Sequence, residues 1–262
     1  MSELHNLLDL RGKVALVTGA GRGVGATTAH FLAGLGASVA INDFYPDRAE
    51  SVAEEILSQG GKALAVPADI TDLDQVFAMV NTVTTQLGDP AILVNNAGNS
   101  GATAQFPSVF WESTPEQWEP YLSINLSAVL NCTRAVIPGM IQEGYGRVIT
   151  VISDAGRVGE ANMEIYAAGK AGAAGFMRAL ARSVGRYGIT ANCVALGFTN
   201  TPATDAVLEH EEIVKKALSH YIIRRVGEPT DAAAMISFLS SPAASWITAQ
   251  TYPVNGGYSV TQ

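Results

Sequence analysis

Short apolar runs rich in β-branched residues alternate along this chain with longer stretches whose apolar positions recur at helical spacing. KVALVT (13–18), SVAIND (38–43), KALAVPA (62–68), AILVNNA (91–97), RVITVIS (147–153) and ITANCVAL (189–196) are each followed by helix-like sequence. Apolar runs without polar alternation suit strands buried on both faces, and their alternation with helices predicts parallel pairing. The expected fold class is therefore α/β, doubly wound, with a central parallel sheet of about seven strands and helices on both faces. QTYPVNGG (250–257) reads as a last short strand. The runs around 114–144 and 164–187 read as long helices. Pro120 can sit in an early turn of the first, whereas Pro138 is expected to kink or interrupt it.

Residues 198–228 break the alternation: Thr, His, Glu and paired basic residues (HEEIVKK, IIRRVGEP) precede a helix starting near Pro229. This segment is expected to form a lid or side lobe over a single domain spanning 1–262, since no linker, fixed-period repeat or low-complexity tract divides the chain.

Composition narrows the classes. A chain of 262 residues, 48% hydrophobic and 15% charged, can bury one substantial core without a metal or disulfide staple. Cys132 and Cys193 lie inside apolar stretches and read as small buried hydrophobes in a reducing compartment. The start MSELHNLLDLRGK lacks the pattern of a signal peptide, and runs such as VALVT are too short to cross a bilayer. A cytoplasmic protein with no membrane partner is expected. A net charge of -8 argues against a nucleic-acid partner. His5, His30, His210 and His220 show no zinc spacing, so no metal is assigned.

Candidate chemistry starts at Thr18-Gly19-Ala20-Gly21-Arg22-Gly23-Val24-Gly25, between the first strand and its helix. Glycines there allow a tight turn and bring backbone N–H groups to a pyrophosphate, whose charge the helix N-terminus favours. Placement in the first strand–helix unit makes the expected fold Rossmann-type, although packing alone also produces such turns. Asp43 ends the second strand run, where a carboxylate can accept from the adenosine ribose hydroxyls and repel a 2′-phosphate. Arg22 pulls the other way, because a guanidinium can bind that phosphate. NAD(H) is the favoured cofactor and NADP(H) stays open. Asp43 also has a plainer reading, as a turn or cap carboxylate before Pro46.

Tyr166 and Lys170 stand four apart in IYAAGKAGAAGFM and share a helix face. An ammonium beside a phenol lowers its pKa and makes it a usable acid/base near neutrality. Chance also produces such a pair; its company carries the argument. Asp69 in ADITD, Asn95-Asn96-Ala97-Gly98, Asn125 in SINL and Ser153, thirteen residues before Tyr166, follow the glycine turn in order.

In this order and spacing the chain resembles the short-chain dehydrogenase/reductase family, from about Gly12 to Gly257. The resemblance implies an oxidoreductase that moves a hydride between the cofactor and a secondary alcohol or ketone. Tyr166 would be the acid/base, Ser153 would hydrogen-bond the substrate oxygen, and Lys170 would hold the nicotinamide ribose and lower the tyrosine pKa. Asn125 would hold a water linking Lys170 to solvent. Implied cofactor contacts are Gly19, Arg22, Gly23, Val24 and Gly25 of the turn, Asp43, Asp69 and Ile70 beside adenine, and the Asn96, Ala97 and Gly98 backbone. Tyr166, Lys170, Gly197, Thr199 and Thr201 complete that set. Each of Asn96, Asn125 and Ser153 also has a structural reading, as a sheet-end clamp, a helix polar residue and a turn hydroxyl. Relatives associate through helices matching 114–144 and 164–187, which implies a homotetramer or homodimer.

Two departures from the family pattern bear on the site. Leu196 stands where a proline is common, freeing the backbone of the loop into the lid and weakening the expected grip on cofactor, and Thr199 replaces an aliphatic residue. Asp154 follows Ser153 in SDAGRVG, where it can pair locally with Arg157 or border the substrate. That string is similar to a subgroup acting on alicyclic hydroxyacyl-CoA substrates, so an alicyclic or acyl-CoA-linked alcohol or ketone enters the range of substrates. A catalytically silent nucleotide sensor on the same fold is the alternative, but it has no need of an acid/base set. A sugar-nucleotide epimerase or dehydratase would want a larger substrate lobe than 198–250 provides.

Overall fold

All the strand runs pair in one parallel sheet in the computed structural model, which describes residues 3–99 and 109–260. The strands are β1 (Val14–Val17), β2 (Ser38–Ile41), β3 (Lys62–Ala65), β4 (Ile92–Asn95), β5 (Gly146–Ser153), β6 (Ile189–Leu196) and β7 (Thr251–Val254). Their order is β3-β2-β1-β4-β5-β6-β7, and every neighbouring pair is parallel. Order reverses between β1 and β4, and the crevice beyond the strand ends at such a reversal is the usual ligand position in sheets of this kind.

Strand side chains alternate between two cores, as period-2 geometry requires. Ala15 and Val17 of β1 join Leu32 of α2 (Gly23–Gly34), Val52 and Ile56 of α3 (Pro46–Ser58) and Ile236 of α11 (Pro229–Ser240). Val14 and Leu16 join the opposite core, with Val80 of α4 (Leu73–Gln86), Val136 of α6 (Ala128–Glu143) and Met177 of α8 (Glu164–Val184). A short helix α1 (Glu3–Leu8) precedes the sheet. The doubly wound architecture expected from the alternation is the one observed.

The helix expected over 114–144 is three elements: α5 (Pro115–Leu122), a π turn over Ser123–Ser127 and α6. Pro138, expected to kink or interrupt the segment, lies within α6, which continues to Glu143. Pro138 is exposed, and so is Arg134, the residue whose carbonyl loses its partner, so water can satisfy that group. The irregularity falls instead at the π turn, which carries Asn125. This run is long and apolar enough to cross a membrane by composition, but Tyr121, Val129, Cys132, Val136 and Met140 are buried within the protein.

Residues 198–228 form a loop with two short helices, α9 (Asp205–Leu208) and α10 (Glu211–Leu218). Its ends are pinched together: Gly227 N donates to Phe198 O (3.0 Å) and Asn200 N to Gly227 O (2.7 Å). A single-turn helix, α7 (Ala155–Val158), follows β5 directly.

One polar network lies inside the core. The Asn95 amide donates to Thr133 Oγ1 and Thr150 Oγ1, both at 3.3 Å, joining β4, β5 and α6 below the crevice. We expect Asn95→Ala to cost about 1–3 kcal/mol, because the two hydroxyls lose a donor where water is excluded. Urea unfolding checks this, and an unchanged midpoint would show that the network contributes nothing.

Candidate active site

The glycine turn is stapled to the end of β4. Thr18 Oγ1 accepts from Asn96 N (3.1 Å) and Ala97 N (3.2 Å), and the Asn96 amide donates to the Thr18 and Gly19 carbonyls, each at 3.0 Å. Gly19 has φ +59°, and a Cβ there would lie 2.8 Å from Ala97 Cα, so both conformation and close approach demand glycine. Asn96 is thus a clamp on the turn, while its backbone and those of Ala97 and Gly98 border the crevice.

α2 begins at Gly23 with Arg22 at its N-cap, and the Arg22 side chain makes no capping bond. The first-turn N–H groups from Gly23 through Val24 and Gly25 are therefore open to an anion. Thr201 stands across from them, its Cβ 3.6 Å from the place a Cβ on Gly23 would occupy. A pyrophosphate fits this arrangement of donors. Asp43 is buried, and its oxygens accept from Gly21 N and Tyr45 N, both at 3.1 Å. It is both a turn carboxylate and a carboxylate facing the glycine turn, with lone pairs left for ribose hydroxyls. Arg22 is exposed. Asp69 holds Thr71 through its N–H (2.9 Å) and hydroxyl (2.7 Å), and buried Ile70 follows it at the end of the next strand loop.

Beyond β6 the loop is firmly based despite Leu196. Leu196 O accepts from Asp154 N (3.0 Å), Gly197 N donates to Val254 O (3.3 Å), and Phe198 N donates to Tyr221 Oη (2.8 Å). Thr199, buried, turns its hydroxyl to Gly197 O (3.1 Å). The strand ladder and Tyr221 supply the rigidity that a proline would have given.

Ser153, Tyr166, Lys170 and Asn125 come together on the other side of the crevice. Ser153 ends β5, and its Oγ accepts from Ala155 N (3.2 Å) while reaching the Tyr166 phenol. Lys170, one turn after Tyr166 on α8, is 4% exposed and donates to Val151 O at 2.9 Å. Burial brings its pKa down to about 8. Its Nζ lies 5.8 Å from the centre of the Tyr166 ring. The expected lowering of the phenol pKa by this ammonium is not what the geometry gives. Burial holds the Tyr166 hydroxyl above the ordinary tyrosine value, and the Ser153 hydrogen bond pulls it the other way. The ammonium points at a β5 carbonyl instead, and desolvation of the phenolate outweighs the help that Ser153 gives.

Asn125 is fully buried on the π turn. Its amide donates to Asn99 O (2.8 Å) and Tyr121 O (3.0 Å), and Oδ1 accepts from Asn99 N (3.3 Å). A Cβ on Gly98 would lie 2.9 Å from both Asn125 Oδ1 and Lys170 Nζ, so glycine leaves a small polar gap between them.

Several residues of this region were not singled out by sequence: Gly156, Tyr221, Asn255 and Ser259. Buried Asp154 pairs with Arg157, as the local reading had it, but also accepts from the Asn255 amide at 2.5 Å and Ser259 Oγ at 3.0 Å. Only the Asn-Gly-Gly string at 255–257 hinted at a special turn there. Residues 100–108, between β4 and α5, lie outside the described residues. Cys132 and Cys193 are buried free thiols, each pushed up to about 12 by desolvation. Among the described residues, no group of three His, Cys, Asp or Glu is placed to hold a metal.

A family model described as enoyl-(acyl carrier protein) reductase matches residues 19–259. The 3-oxoacyl-(acyl-carrier-protein) reductase of Staphylococcus aureus (strain Mu50 / ATCC 700699) is 37% identical over 246 residues, covering 94% of this chain and 97% of that protein. Its counterpart from Vibrio harveyi is 36% identical over 250 residues, 95% and 98% of the two chains. Among solved structures, a 7α-hydroxysteroid dehydrogenase complexed with NADH and 7-oxo glycochenodeoxycholic acid aligns with TM-score 0.91 and 36% identity, covering 98% of each chain. A gluconate 5-dehydrogenase from Burkholderia cenocepacia J2315, in complex with NADP and tartrate, aligns with TM-score 0.91 and 29% identity, again over 98% of each.

Burying Lys170 has a cost that pH exposes. Its folded pKa of about 8 lies below the ordinary 10.5, so between those values the unfolded chain binds more protons and stability rises with pH. Below about pH 8 the full penalty is present. We expect Lys170→Met to raise stability at pH 7 by about 1–3 kcal/mol and to remove this part of the pH slope. Urea unfolding of both proteins at pH 7 and pH 10 measures it; a destabilised variant with the same slope would contradict the burial cost.

Proposed function

The chain belongs to the short-chain dehydrogenase/reductase family of oxidoreductases, and from that premise we propose that it moves a hydride between NAD(H) and a secondary alcohol or ketone, with Tyr166 as acid/base. The observation that carries the reading is the meeting of Ser153, the Tyr166 phenol and a fully desolvated Lys170 beside the crevice at the β1/β4 reversal.

A ketone oxygen set between the Ser153 and Tyr166 hydroxyls receives two hydrogen bonds that strengthen as negative charge develops on it. Tyr166, kept protonated at neutral pH by its burial, is suited to give that oxygen a proton; in the alcohol direction the phenolate takes it back. When bound, the nicotinamide cofactor supplies or accepts the hydride. The α2 N-terminus and Thr201 would hold its pyrophosphate, Asp43 its adenosine ribose, and Lys170 its nicotinamide ribose. A water in the gap beside Gly98 would contact both Asn125 Oδ1 and Lys170 Nζ and carry protons toward solvent.

NAD(H) is favoured over NADP(H) because the buried Asp43 carboxylate, anchored by two backbone N–H groups, would face a 2′-phosphate with like charge. The pinched loop 198–228 is suited to act as a substrate lid, and the relatives' 3-oxoacyl and oxo-steroid names support an acyl-thioester or alicyclic ketone as the substrate class. Self-association as a homodimer or homotetramer is the assembly we expect, through the faces of α5, α6 and α8.

We expect Tyr166→Phe to bind NADH within about threefold of the wild type while kcat falls by about a thousandfold or more, read by fluorescence titration and NADH consumption. Retained turnover would remove Tyr166 from the chemistry. In the wild type, ketone reduction should hold steady below about pH 8 and fall above it as Lys170 loses its proton, whereas alcohol oxidation should rise with pH as the phenolate becomes available. Catalytic efficiency with NADH should exceed that with NADPH by at least about tenfold, and the opposite preference would overturn the role given to Asp43.

A further inference from the structure

Ser153 and Lys170 share a neighbour that takes no part in the chemistry described so far. α7 is a single turn, too short to hold itself together in water. Yet its first N–H, on Ala155, fixes the Ser153 hydroxyl. Its second residue, Gly156, packs on α8 so closely that a Cβ there would lie 2.8 Å from Lys170 Cβ and 2.9 Å from Ala171 N. A displacement of α7 therefore shifts the serine and presses on the lysine together.

What holds α7 comes from the far end of the chain. Asp154, at its N-cap position, is 2% exposed. Its Oδ2 accepts from the Asn255 amide (2.5 Å), and its Oδ1 accepts from Arg157 (2.5 Å) and Ser259 Oγ (3.0 Å). Arg157 also donates to Ser259 Oγ (2.7 Å), and the Asn255 amide to Ser259 O (3.0 Å). The adjoining Tyr258 packs at a tilt against Tyr221, whose hydroxyl anchors Phe198 at the base of the 198–228 loop, and its own hydroxyl reaches Glu160 past α7. A buried carboxylate satisfied by three side chains is rigid, and losing one partner leaves the rest unbalanced.

We propose that Asp154 is a positioning residue: with Arg157, Asn255 and Ser259 it locks α7, and so makes the geometry of Ser153 and Lys170 depend on the docked segment after β7. The inference rests on the oxidoreductase reading of the same site. It assigns the C-terminal segment a part in turnover although none of its residues belongs to the acid/base set.

The test is a double-mutant cycle on ketone reduction with NADH. Variants D154N, N255D, D154N/N255D and S259A are compared with the wild type for kcat, NADH affinity and Tm, with kcat measured well below the lowest Tm. We expect D154N to lower kcat by about 30-fold or more with NADH affinity within about threefold, because the asparagine amide then meets the Asn255 amide donor to donor. N255D alone should be at least as damaging, with two carboxylates face to face. The double variant restores one donor and one acceptor and should recover about tenfold or more over either single change. S259A, which removes the hydroxyl that meets Asp154, Arg157 and Asn255 at a half-buried position but leaves the Asp154–Arg157 and Asp154–Asn255 contacts in place, should fold normally and lose about three- to tenfold in kcat, so it carries the test if D154N does not fold. Losses confined to Tm, or a double variant no better than its worse parent, would overturn the proposal. An inactive wild type across ketones would overturn the oxidoreductase reading and this inference with it; an active wild type matched by D154N and S259A overturns the inference alone.

Discussion

A side-chain ammonium withdrawn from water must be given a partner, and Lys170 is given the main-chain carbonyl of Val151 at 2.9 Å. That contact sets much of the site. It draws α8 down onto β5, which brings Tyr166 to the end of the strand where Ser153 stands. It also requires small neighbours: Gly98, Gly156 and Gly169 lie where a Cβ would press on Lys170 or on the π turn carrying Asn125. The desolvation that makes the lysine expensive also brings its pKa to about 8, near the range in which a proton relay has to work. Cost and use share one cause.

The sheet, its layers and the cofactor turn were legible in the sequence, since each rests on local pattern. Runs such as VALV and ITANCVAL are apolar without alternation because both faces of their strands are covered. The Thr18–Gly25 turn, Asp43, and Ser153, Tyr166 and Lys170 could be picked out because their chemistry fixes spacing along the chain. What escaped depends on distant contacts. Asp154 and Asn255 are 101 residues apart, and nothing near either announces the other. The π turn inserts one residue's worth of slack into a helix whose propensities are ordinary on both sides, so Pro138 drew attention that belonged to Asn125. The direction of the Tyr166 shift was misread because spacing shows that Lys170 is near but not where its ammonium points.

Loops beyond the strand ends divide the labour. Those after β1, β2 and β4 are tied by Thr18, Asn96 and Asp43 into one wall. Those after β5, β6 and β7 are tied by Asp154, Tyr221 and Asn255 into another. Each wall is preorganised by buried polar contacts, which spares the cost of ordering it during turnover. The relatives' names, a 3-oxoacyl-(acyl-carrier-protein) reductase, a 7α-hydroxysteroid dehydrogenase and a gluconate 5-dehydrogenase, show how widely activity varies on this one fold.

Transfer of isotope tests the central claim most directly. The protein is incubated with NADH deuterated at the nicotinamide C4 transferable position and a panel of alicyclic, steroid and 3-oxoacyl-thioester ketones, and the alcohols formed are analysed by mass spectrometry. Hydride transfer governed by Tyr166 and Ser153 predicts a secondary alcohol carrying one deuterium on its carbinol carbon from at least one class, at a rate abolished in Tyr166→Phe. Cofactor bound with no deuterium delivered to any ketone, or equal delivery by the phenylalanine variant, would contradict it.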